Sequence, residues 1–424
     1  MKKTITALFV LLATIYGAFG QESHRRLRVA LYPYVPEKAE LFLTVIQEYR
    51  RVHPEVDLDI VDLTDTYYDQ GLPQALNGGL VVDPVDVAEV DTVFLRDLVD
   101  NHLISELPAD RLDDSGPYLP IASAASRLDG RVFGVPHWAC GDFLLFRRDD
   151  PDAPKLKQAK TLKQVEEIFG HPADEKQALM TDLMGKSGLG EMYLHRLLDE
   201  YQTVDEALKH LQPTDQPSVK AVRRLFDLCP GNFDHYIRFH TFGQFYAKEF
   251  SHRKTRAIIS YSEGLHDVLD EYLHGAAVKE PAVGHIYDYD ATQGVYVPAS
   301  ANDIDAIGAP LGDSGEKMLG WVDALCVRKG LDAQATSDAL EFIRFYTSEE
   351  FNRKLLVPAP GDAPRYLLPA RESLYNDAAV TACAPLYPTF LEIMKAAVSV
   401  TAPNLNANLR AIGKSINKDL PSPE

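Results

Sequence analysis

The sequence predicts a two-lobed α/β protein, and two observations support that fold class. First, its 424 residues exceed the size at which a single hydrophobic core keeps growing, so we expect two lobes. Second, the N-terminal part alternates short apolar strands with amphipathic helices, the order typical of a parallel, doubly wound sheet. The hydrophobic fraction of 46% and the charged fraction of 25% are those of an ordinary globular protein.

The first strand–helix–strand unit starts near residue 27. Residues 27–31 form a short apolar run that predicts a strand. A helix is predicted after Pro36 and ends at His53-Pro54, because a proline stops the helix that precedes it. Its apolar face has the i, i+3, i+4, i+7 spacing and consists of Phe42, Val45, Ile46 and Tyr49. Residues 56–63 alternate apolar and acidic side chains and predict the second strand.

Polar side chains follow these strands at their C-terminal ends. Residues 64–79 are polar and contain glycine, so we predict a loop, and residues 85–90 form the third strand. In open α/β sheets ligands bind outside the carboxyl ends of strands, where Tyr32, Tyr34 and Asp91 stand. Two roles remain open for Asp91, ligand binding and capping of the helix that follows, with Thr92 as the alternative cap.

A cysteine lies where the next buried strand begins. Residues 134–140 predict a tight bend leading into a strand that continues through residues 143–146. Cys140 stands beside a proline and two aromatic rings, a position that favours a reactive nucleophile over a packing thiol. The other cysteines are too far apart for a disulfide scaffold, and their pairing remains open; they are Cys229, Cys326 and Cys383.

Two carboxylates in the second half of the chain are site candidates. Residues 257–264 predict a strand running into a turn and a helix, with Glu263 at the strand end. Residues 321–327 predict a buried strand that carries one carboxylate, Asp323. A charged residue inside an apolar run is uncommon unless it is paired, so Asp323 points to a functional site.

The first twenty residues have the pattern of an export signal. Lys2 and Lys3 precede an apolar stretch, residues 5–18, and Ala18-Phe19-Gly20 offers the small residues of a cleavage site. The stretch is too short to span a membrane, which takes about 20 apolar residues. We therefore expect a cleaved signal peptide at residues 1–20 and a secreted or periplasmic product.

The net charge of −19 argues against nucleic acid or an anionic membrane as a partner. It would suit a cationic ligand, although a solvated acidic surface is the commoner reason for such a charge. No pair of cysteines and no set of histidines has the spacing of metal ligands, so no metal site and no cofactor are expected.

The order of the later elements resembles solute-binding proteins of the type II periplasmic-binding-protein fold. In that fold the chain crosses several times between two lobes, each a mostly parallel sheet flanked by helices, and the ligand binds in the cleft between them. The resemblance implies a first lobe of residues 27–137 and 320–360. The second lobe would then comprise residues 138–319 and 361–424.

Several short segments taken together resemble thiamine pyridinylase, the type I thiaminase, over nearly the whole chain after the signal. The matching segments are residues 31–36, the strand ending at Asp91, residues 133–136 leading to Cys140 and 144–146, and residues 192–194, 260–263, 321–323 and 366–371. The resemblance implies that Cys140 attacks the pyrimidine ring of thiamine and that Glu263 is the base. The thiazole then leaves, and an amine or thiol displaces the enzyme.

The same resemblance implies how the substrate is held. Asp91 and Asp323 would hydrogen-bond the pyrimidine, and aromatic rings would line the cleft and stack on the flat cationic substrate. These rings are Tyr32, Tyr34, Tyr68, Tyr261 and Trp321. The family usually has tyrosine at the position of Trp321. Two assignments remain open, since either Tyr67 or Tyr68, and either Tyr236 or His240, faces the site.

The main alternative is a non-catalytic extracytoplasmic solute-binding protein for thiamine or another small cationic ligand. Fold alone favours this alternative, because the architecture hosts many pure binders. The joint presence of Cys140, Glu263, Asp91 and Asp323 favours the enzyme, because a binder has no use for an unpaired thiol. A monomer is expected in either case.

Overall fold

A computed structural model describes residues 25–79, 83–108, 117–170, 177–183, 187–201, 203–228, 243–274, 301–315 and 317–418. The predicted signal peptide and three residues singled out above, Cys229, Tyr236 and His240, lie outside the described residues. Within the described part, no helix is long and apolar enough to cross a membrane.

The strands, in chain order, are β1 Arg25–Ala30, β2 Val56–Ile60, β3 Val87–Asp91, β4 Arg127–Leu128, β5 Arg131–Val132, β6 Val135–Gly141, β7 Phe143–Arg147, β8 Gln177–Met180, β9 Thr255–Ser260, β10 Ile304–Gly308, β11 Met318–Val327, β12 Leu368–Pro369 and β13 Ala397–Val398. The helices are α1 Lys38–Val52, α2 Leu72–Asn77, α3 Leu95–Asp100, α4 Pro120–Ala125, α5 Ala153–Leu156, α6 Leu162–Phe169, α7 Gly188–Glu200, α8 Val204–Leu208, α9 Gln216–Asp227, α10 Gly243–Ser251, α11 Gly264–His274, α12 Ala333–Tyr346, α13 Glu349–Leu356, α14 Ala378–Cys383, α15 Tyr387–Met394 and α16 Leu405–Ile416.

The large sheet has the strand order β12-β6-β11-β3-β1-β2, and β13 pairs with β11. Strand β1 runs parallel to β2 and β3, as the predicted strand–helix–strand unit requires. Strand β11 is antiparallel to both β3 and β6 and is buried along its whole length. It therefore lies between the strand that ends at Asp91 and the strand that carries Cys140.

The small sheet has the order β10-β7-β9-β8, with β7 antiparallel to both of its neighbours and β9 parallel to β8. The predicted two-lobed architecture is confirmed, but its sheets are mixed rather than mostly parallel. The reason is that β6 leads directly into the small sheet while β11 comes back from it. Two such strands lying side by side must run in opposite directions.

Sheet membership differs from the predicted lobe boundaries at two points. Strand β6 stays in the large sheet through Gly141, so the chain crosses at Asp142 rather than at residue 138. Strand β12 also pairs with β6 in the large sheet, although residues 361–424 were predicted to belong to the second lobe. An apolar run does not reveal its pairing partner, because either sheet would bury it equally well.

The segment predicted as a loop, residues 64–79, is instead largely helical. A π-helical turn covers Tyr67–Gly71, and α2 follows it with Pro73 in its first turn. Proline is favoured there because its missing N–H has no helical partner to lose. Leu72, Ala75 and Leu76 are buried, so this short helix is held by an apolar face.

Two other helices, α1 and α6, begin or end at residues with a clear capping role. Helix α1 ends at Val52, and His53 follows it as the cap. Helix α6 begins with a complete capping box, in which Thr161 accepts from the backbone of Gln164 and the Gln164 side chain accepts from the backbone of Thr161. Gly170 caps its C-terminus.

Helix α7 lies almost entirely below the surface and packs on α16. Its residues from Leu189 to Asp199 are all buried. A Cβ added at Gly190 would overlap the backbone carbonyl of Leu409, so glycine is what allows the two helices to approach so closely. This packing holds the first turn of α7 against the cavity described next.

Candidate active site

A cavity of about 880 Å³ lies where the carboxyl ends of β1 and β3 face the turn between β9 and α11. Its lining includes side chains from both sheets, as expected for a ligand cleft between two lobes. Eight of the nine predicted site residues line it, namely Tyr32, Tyr34, Tyr68, Asp91, Cys140, Tyr261, Glu263 and Trp321.

The ninth predicted residue, Asp323, is not among the lining residues. It lies directly opposite Asp91 in the pairing of β11 with β3, and 5% of its surface is exposed. Burial, and then the negative charge of Asp91, raises the pKa of Asp323 well above its ordinary value. A carboxyl whose pKa is raised in this way holds its proton more firmly than an exposed aspartate does, and when protonated it can donate a hydrogen bond.

Cys140 is a free, partly exposed thiol near the end of β6, opposite Trp321 on β11. Burial raises the pKa of the Cys140 thiol well above its ordinary value, and the negative charges of Asp323, Glu263 and other carboxylates raise it further. The thiol is therefore protonated in the ligand-free protein. It requires a base before it can act as a nucleophile.

Glu263 stands in the turn between β9 and α11, immediately before the helix. Its Oε2 accepts a hydrogen bond of 3.1 Å from the Ser262 hydroxyl. Burial raises the pKa of Glu263 to about 7, although this hydrogen bond and one from the backbone oppose the shift. A carboxylate that exchanges its proton near neutral pH is well suited to act as a general base.

Asp91 caps the helical turn that follows β3 and also lines the cavity, so its predicted role in ligand binding stays open. Its Oδ1 accepts from the backbone N–H of Val93 at 2.9 Å and so caps the helical turn that follows β3. Its Oδ2 accepts from the Tyr68 hydroxyl at 2.7 Å and faces the cavity. Burial raises the pKa of Asp91 to about 7 despite these hydrogen bonds, and the charge of Glu191 adds to the shift.

Of the two adjacent tyrosines, Tyr67 and Tyr68, it is Tyr68 that lines the cavity. Because the Tyr68 hydroxyl donates to Asp91, the Tyr32 hydroxyl must donate in the 3.1 Å hydrogen bond between the two phenols. Tyr67 is fully buried behind them; its hydroxyl donates to the carbonyl of Glu89 and accepts from the N–H of Asp91. Tyr68 thus belongs to the site, while Tyr67 supports the strand end.

Tyr34 forms the outer edge of this aromatic wall. Its ring stacks on that of Tyr68 with centroids 5.5 Å apart, and its hydroxyl donates to the carbonyl of Thr64 at 2.7 Å. It is 44% exposed, which places it at the mouth of the cavity. Flat, partly exposed aromatic faces of this kind suit a planar ligand, particularly a cationic one.

Glu191 is a site residue that the sequence analysis missed. It lies in the first turn of α7, lines the cavity, and its Oε2 accepts from Tyr261 Oη at 2.6 Å and from Trp321 Nε1 at 3.3 Å. The Trp321 ring N–H thus provides a polar contact where the family usually has a tyrosine hydroxyl. The sequence signal for Glu191 is weaker than that for Asp323, because Glu191 precedes a short apolar segment, Met192-Tyr193-Leu194, and does not interrupt a longer one.

A buried pair that the sequence analysis also missed, Glu89 and His137, holds the backbone of Tyr32. Glu89 accepts from the backbone N–H of Tyr32 at 2.9 Å, and its other oxygen lies 2.6 Å from Nδ1 of His137. The side chains of Glu89 and His137 are at most 1% exposed. This buried pair connects β3, β6 and the segment after β1 beneath the cavity.

The cavity is strongly acidic. Besides Asp91, Glu191, Glu263 and Asp323, the carboxyls of Asp142 and Asp267 are close by, and burial raises the pKa of each of these two to about 7. Within the described residues none of the six forms an ion pair with Lys, Arg or His. Nor is any group of three or more His, Cys, Asp or Glu in that part of the chain arranged to hold a metal ion.

The other described cysteines lie outside the site. Cys326 is fully buried on β11, and Cys383 is partly buried at the end of α14; both are free thiols. Their predicted alternatives, pairing or no pairing, are therefore resolved for the described residues in favour of unpaired thiols.

Comparison with known proteins supports the predicted resemblance. No protein-family model matches the chain. The chain is 24% identical to thiaminase-1 of Paenibacillus thiaminolyticus over 416 residues, which is 93% of this chain and 88% of that protein.

Two solved structures share the fold. Clostridium botulinum thiaminase I in complex with thiamin superposes with a TM-score of 0.70 at 23% identity, covering 92% of this chain and 99% of that one. An ABC-transporter solute-binding protein from Agrobacterium radiobacter, in complex with ribitol, gives a TM-score of 0.69 at 14% identity and covers 93% of each chain. The chain is therefore a homologue of the type I thiaminases, with the two-lobed fold of the type II periplasmic binding proteins.

Proposed function

We propose that the protein is a thiamine pyridinylase, which transfers the pyrimidinylmethyl group of thiamine to an amine or thiol through a covalent intermediate on Cys140. The observation that carries the proposal is the meeting of Cys140 and Glu263 in one cavity. One comes from a strand of the large sheet and the other from the turn after a strand of the small sheet. The thiaminase homology and the acidic, aromatic lining support the same activity.

The first step needs a proton transfer. Glu263, ionised above its pKa of about 7, takes the proton of the Cys140 thiol. The thiolate then adds to a carbon of the pyrimidine ring. The bond between the bridging methylene and the thiazolium nitrogen breaks, its electron pair passes to that nitrogen, and a neutral thiazole leaves.

The second step reverses the first with another nucleophile. The incoming amine or thiol bonds to the methylene carbon, and the Cys140 thiolate is expelled from the ring and takes back the proton held by Glu263. The ionised Glu263 then accepts the proton that the bonded amine or thiol loses and passes it to solvent, so the overall reaction releases one proton. One carboxyl group thus serves both steps as acid and base.

Asp91 and Asp323 serve the pyrimidine in complementary ways. The protonated Asp323 can donate to a ring nitrogen, while the carboxylate of Asp91 can accept from the 4-amino group. A hydrogen bond donated to the ring stabilises the negative charge that develops there as the thiolate adds. The two acids differ in environment, because only Asp91 has both a backbone N–H and a tyrosine hydroxyl as donors.

The surroundings of the reaction are also part of the proposal. The pattern of residues 1–20 supports export to the periplasm or the medium, which N-terminal sequencing of the exported protein would test by finding Gln21 first. A monomer is proposed because the resemblance to the type II periplasmic-binding-protein fold implies one. Size-exclusion chromatography with light scattering would test this, and a dimer mass would contradict it.

The activity is tested by incubating the pure protein with thiamine and an aromatic amine. The expected products are free thiazole and the pyrimidine–amine adduct, followed by chromatography and mass spectrometry. If thiamine bound but remained intact, the result would favour the alternative, a solute-binding protein for thiamine.

Substitution of Cys140 tests the covalent mechanism. Cys140→Ser should lower turnover by at least about 10³-fold, because a hydroxyl is a far weaker nucleophile, and should leave thiamine affinity nearly unchanged. The Cys383→Ser variant is the matched control, since that thiol lies away from the cavity. A fully active Cys140→Ser protein would show that the reaction does not pass through this residue.

A further inference from the structure

Glu191 has a fixed position in the cavity that nothing in the proposed chemical steps uses. The residue is 9% exposed, and its carboxylate accepts hydrogen bonds from the hydroxyl of Tyr261 and the ring N–H of Trp321. The Ser187 side chain is a third donor. These donors come from three separate segments of the chain, so both the position and the orientation of the carboxylate are held.

All three donors are neutral, and among the described residues no Lys, Arg or His forms an ion pair with Glu191. Burial raises the pKa of the Glu191 carboxyl above its ordinary value. Two other acids lie close enough to feel its charge, because that charge adds to the raised pKa of both Asp91 and Asp142. Burying a carboxylate without an opposite charge beside it is costly. A ligand that brings a positive charge to Glu191 would offset this cost and so bind more tightly.

The two rings that donate hydrogen bonds to Glu191 also favour a cationic ligand. A phenol or indole that donates a hydrogen bond to a carboxylate becomes richer in electrons, and its face attracts a cation more strongly. Tyr261 and Trp321 both line the cavity. Trp321 also lies opposite Cys140 in the pairing of β11 with β6, so a cation held there would be next to the nucleophile.

We propose that Glu191, with Tyr261 and Trp321, forms the subsite that recognises the positive charge of the substrate, the thiazolium ring. The identity of this cation rests on the proposed function, whereas the preference for a cation rests on the site itself. The subsite also favours turnover, because cleavage makes the thiazole neutral and so weakens its hold on the leaving product.

The test compares two ligands of the same shape and different charge. Thiamine carries a positive ring nitrogen, and 3-deazathiamin, in which carbon replaces that nitrogen, carries none. Binding is measured by calorimetry at pH 8 in a Cys140→Ser background, where thiamine is not consumed. Glu191→Gln keeps an acceptor oxygen for Tyr261 and Trp321 while it removes the charge.

Glu191→Gln should weaken thiamine binding by about 10- to 100-fold, the size expected for losing one close opposite charge in a partly screened site. Binding of 3-deazathiamin should change by less than about threefold. Glu200→Gln is the matched control, because Glu200 ends the same helix and its side chain is 49% exposed. It should leave both affinities unchanged.

Equal weakening of both ligands would overturn the proposal, because it would mean that Glu191 only maintains the shape of the cavity. Unchanged thiamine affinity would overturn it as well. Turnover of thiamine by the wild-type protein is assayed in parallel. Charge-dependent binding without turnover would support the Glu191 subsite and refute the enzyme, and turnover without charge-dependent binding would do the reverse. If neither ligand bound and thiamine were not turned over, both the Glu191 subsite and the enzyme would be refuted.

Discussion

Replacing Glu263 by Gln is expected to stabilise the ligand-free protein while it removes the base. The pKa of this carboxyl is about 7 in the folded protein, against an ordinary value of 4.5. Below pH 4.5 the group is protonated in both states and costs nothing. Between pH 4.5 and 7 the unfolded chain loses the proton first, so the folded state becomes progressively less favoured. Above pH 7 the cost is complete.

The magnitude follows from the difference between the two pKa values. The two pKa values differ by 2.5, and each pKa unit corresponds to about 1.36 kcal/mol, so the full effect on the free energy of unfolding is about 3.4 kcal/mol. Because Glu263 is partly exposed in the cavity, solvent screening reduces this energy, and we expect a gain in stability of about 1–2 kcal/mol at pH 8. At pH 5 most of the difference has disappeared, and the gain should fall below about 0.5 kcal/mol.

The assay is urea unfolding of the ligand-free protein at pH 5 and pH 8, with Glu350→Gln as the matched control. Glu350 is an exposed glutamate far from the cavity lining, and its replacement should change stability by less than about 0.5 kcal/mol at either pH. Turnover by Glu263→Gln should fall by about 10²- to 10⁴-fold, the usual contribution of a general base.

The reasoning would be refuted if Glu263→Gln were no more stable than the parent protein at pH 8. Such a result would mean that the carboxyl is well solvated and ionises normally. If Glu263→Gln had the stability of the parent protein and also turned over normally, another group would have to accept the thiol proton. A gain in stability combined with lost turnover is the exchange of stability for function that buried acids at active sites generally show.

Three further predictions concern the same site and its support. The value of kcat/KM should fall as the pH is lowered through about 7, because Glu263 and Asp91 take up protons there; a profile that is flat between pH 5 and 8 would contradict this. Tyr68→Phe removes a donor to Asp91 and should raise KM by about 5- to 30-fold in steady-state kinetics, equivalent to about 1–2 kcal/mol, whereas an unchanged KM would show that this hydrogen bond does not shape the site. Gly190→Ala puts a methyl group against the carbonyl of Leu409 and should lower the free energy of unfolding by about 1–3 kcal/mol in urea, which parent-like stability would disprove.

The local elements were predictable because their signals are local. The periodic apolar face of α1, the capping box of α6 and the alternating pattern of β2 each lie within a few consecutive residues. The same is true of Asp91 and Glu263, which stand at strand ends where ligands bind in α/β proteins. Their position, not their environment, identified them.

The errors have equally physical causes. Helix α2 is short and has a proline in its first turn, so its buried face is too small to stand out from a polar segment. The crossing at Asp142 was placed too early because β6 and β7 form nearly one continuous apolar run. Glu191 was missed because its neighbours in the cavity, Tyr261 and Trp321, are distant in the sequence.

The sequence by itself determined the types of the elements and the chemical groups available: a thiol, a set of carboxylates and several aromatic rings. The tertiary structure alone decided their properties. The pKa of Asp323 lies well above its ordinary value because the pairing of β11 with β3 places it opposite Asp91 in a buried position. Burial and close carboxylates likewise raise the pKa of Cys140 and Glu263. Such shifts depend on groups that meet only when the chain folds, because the electrostatic interaction follows distance in space and not separation along the chain.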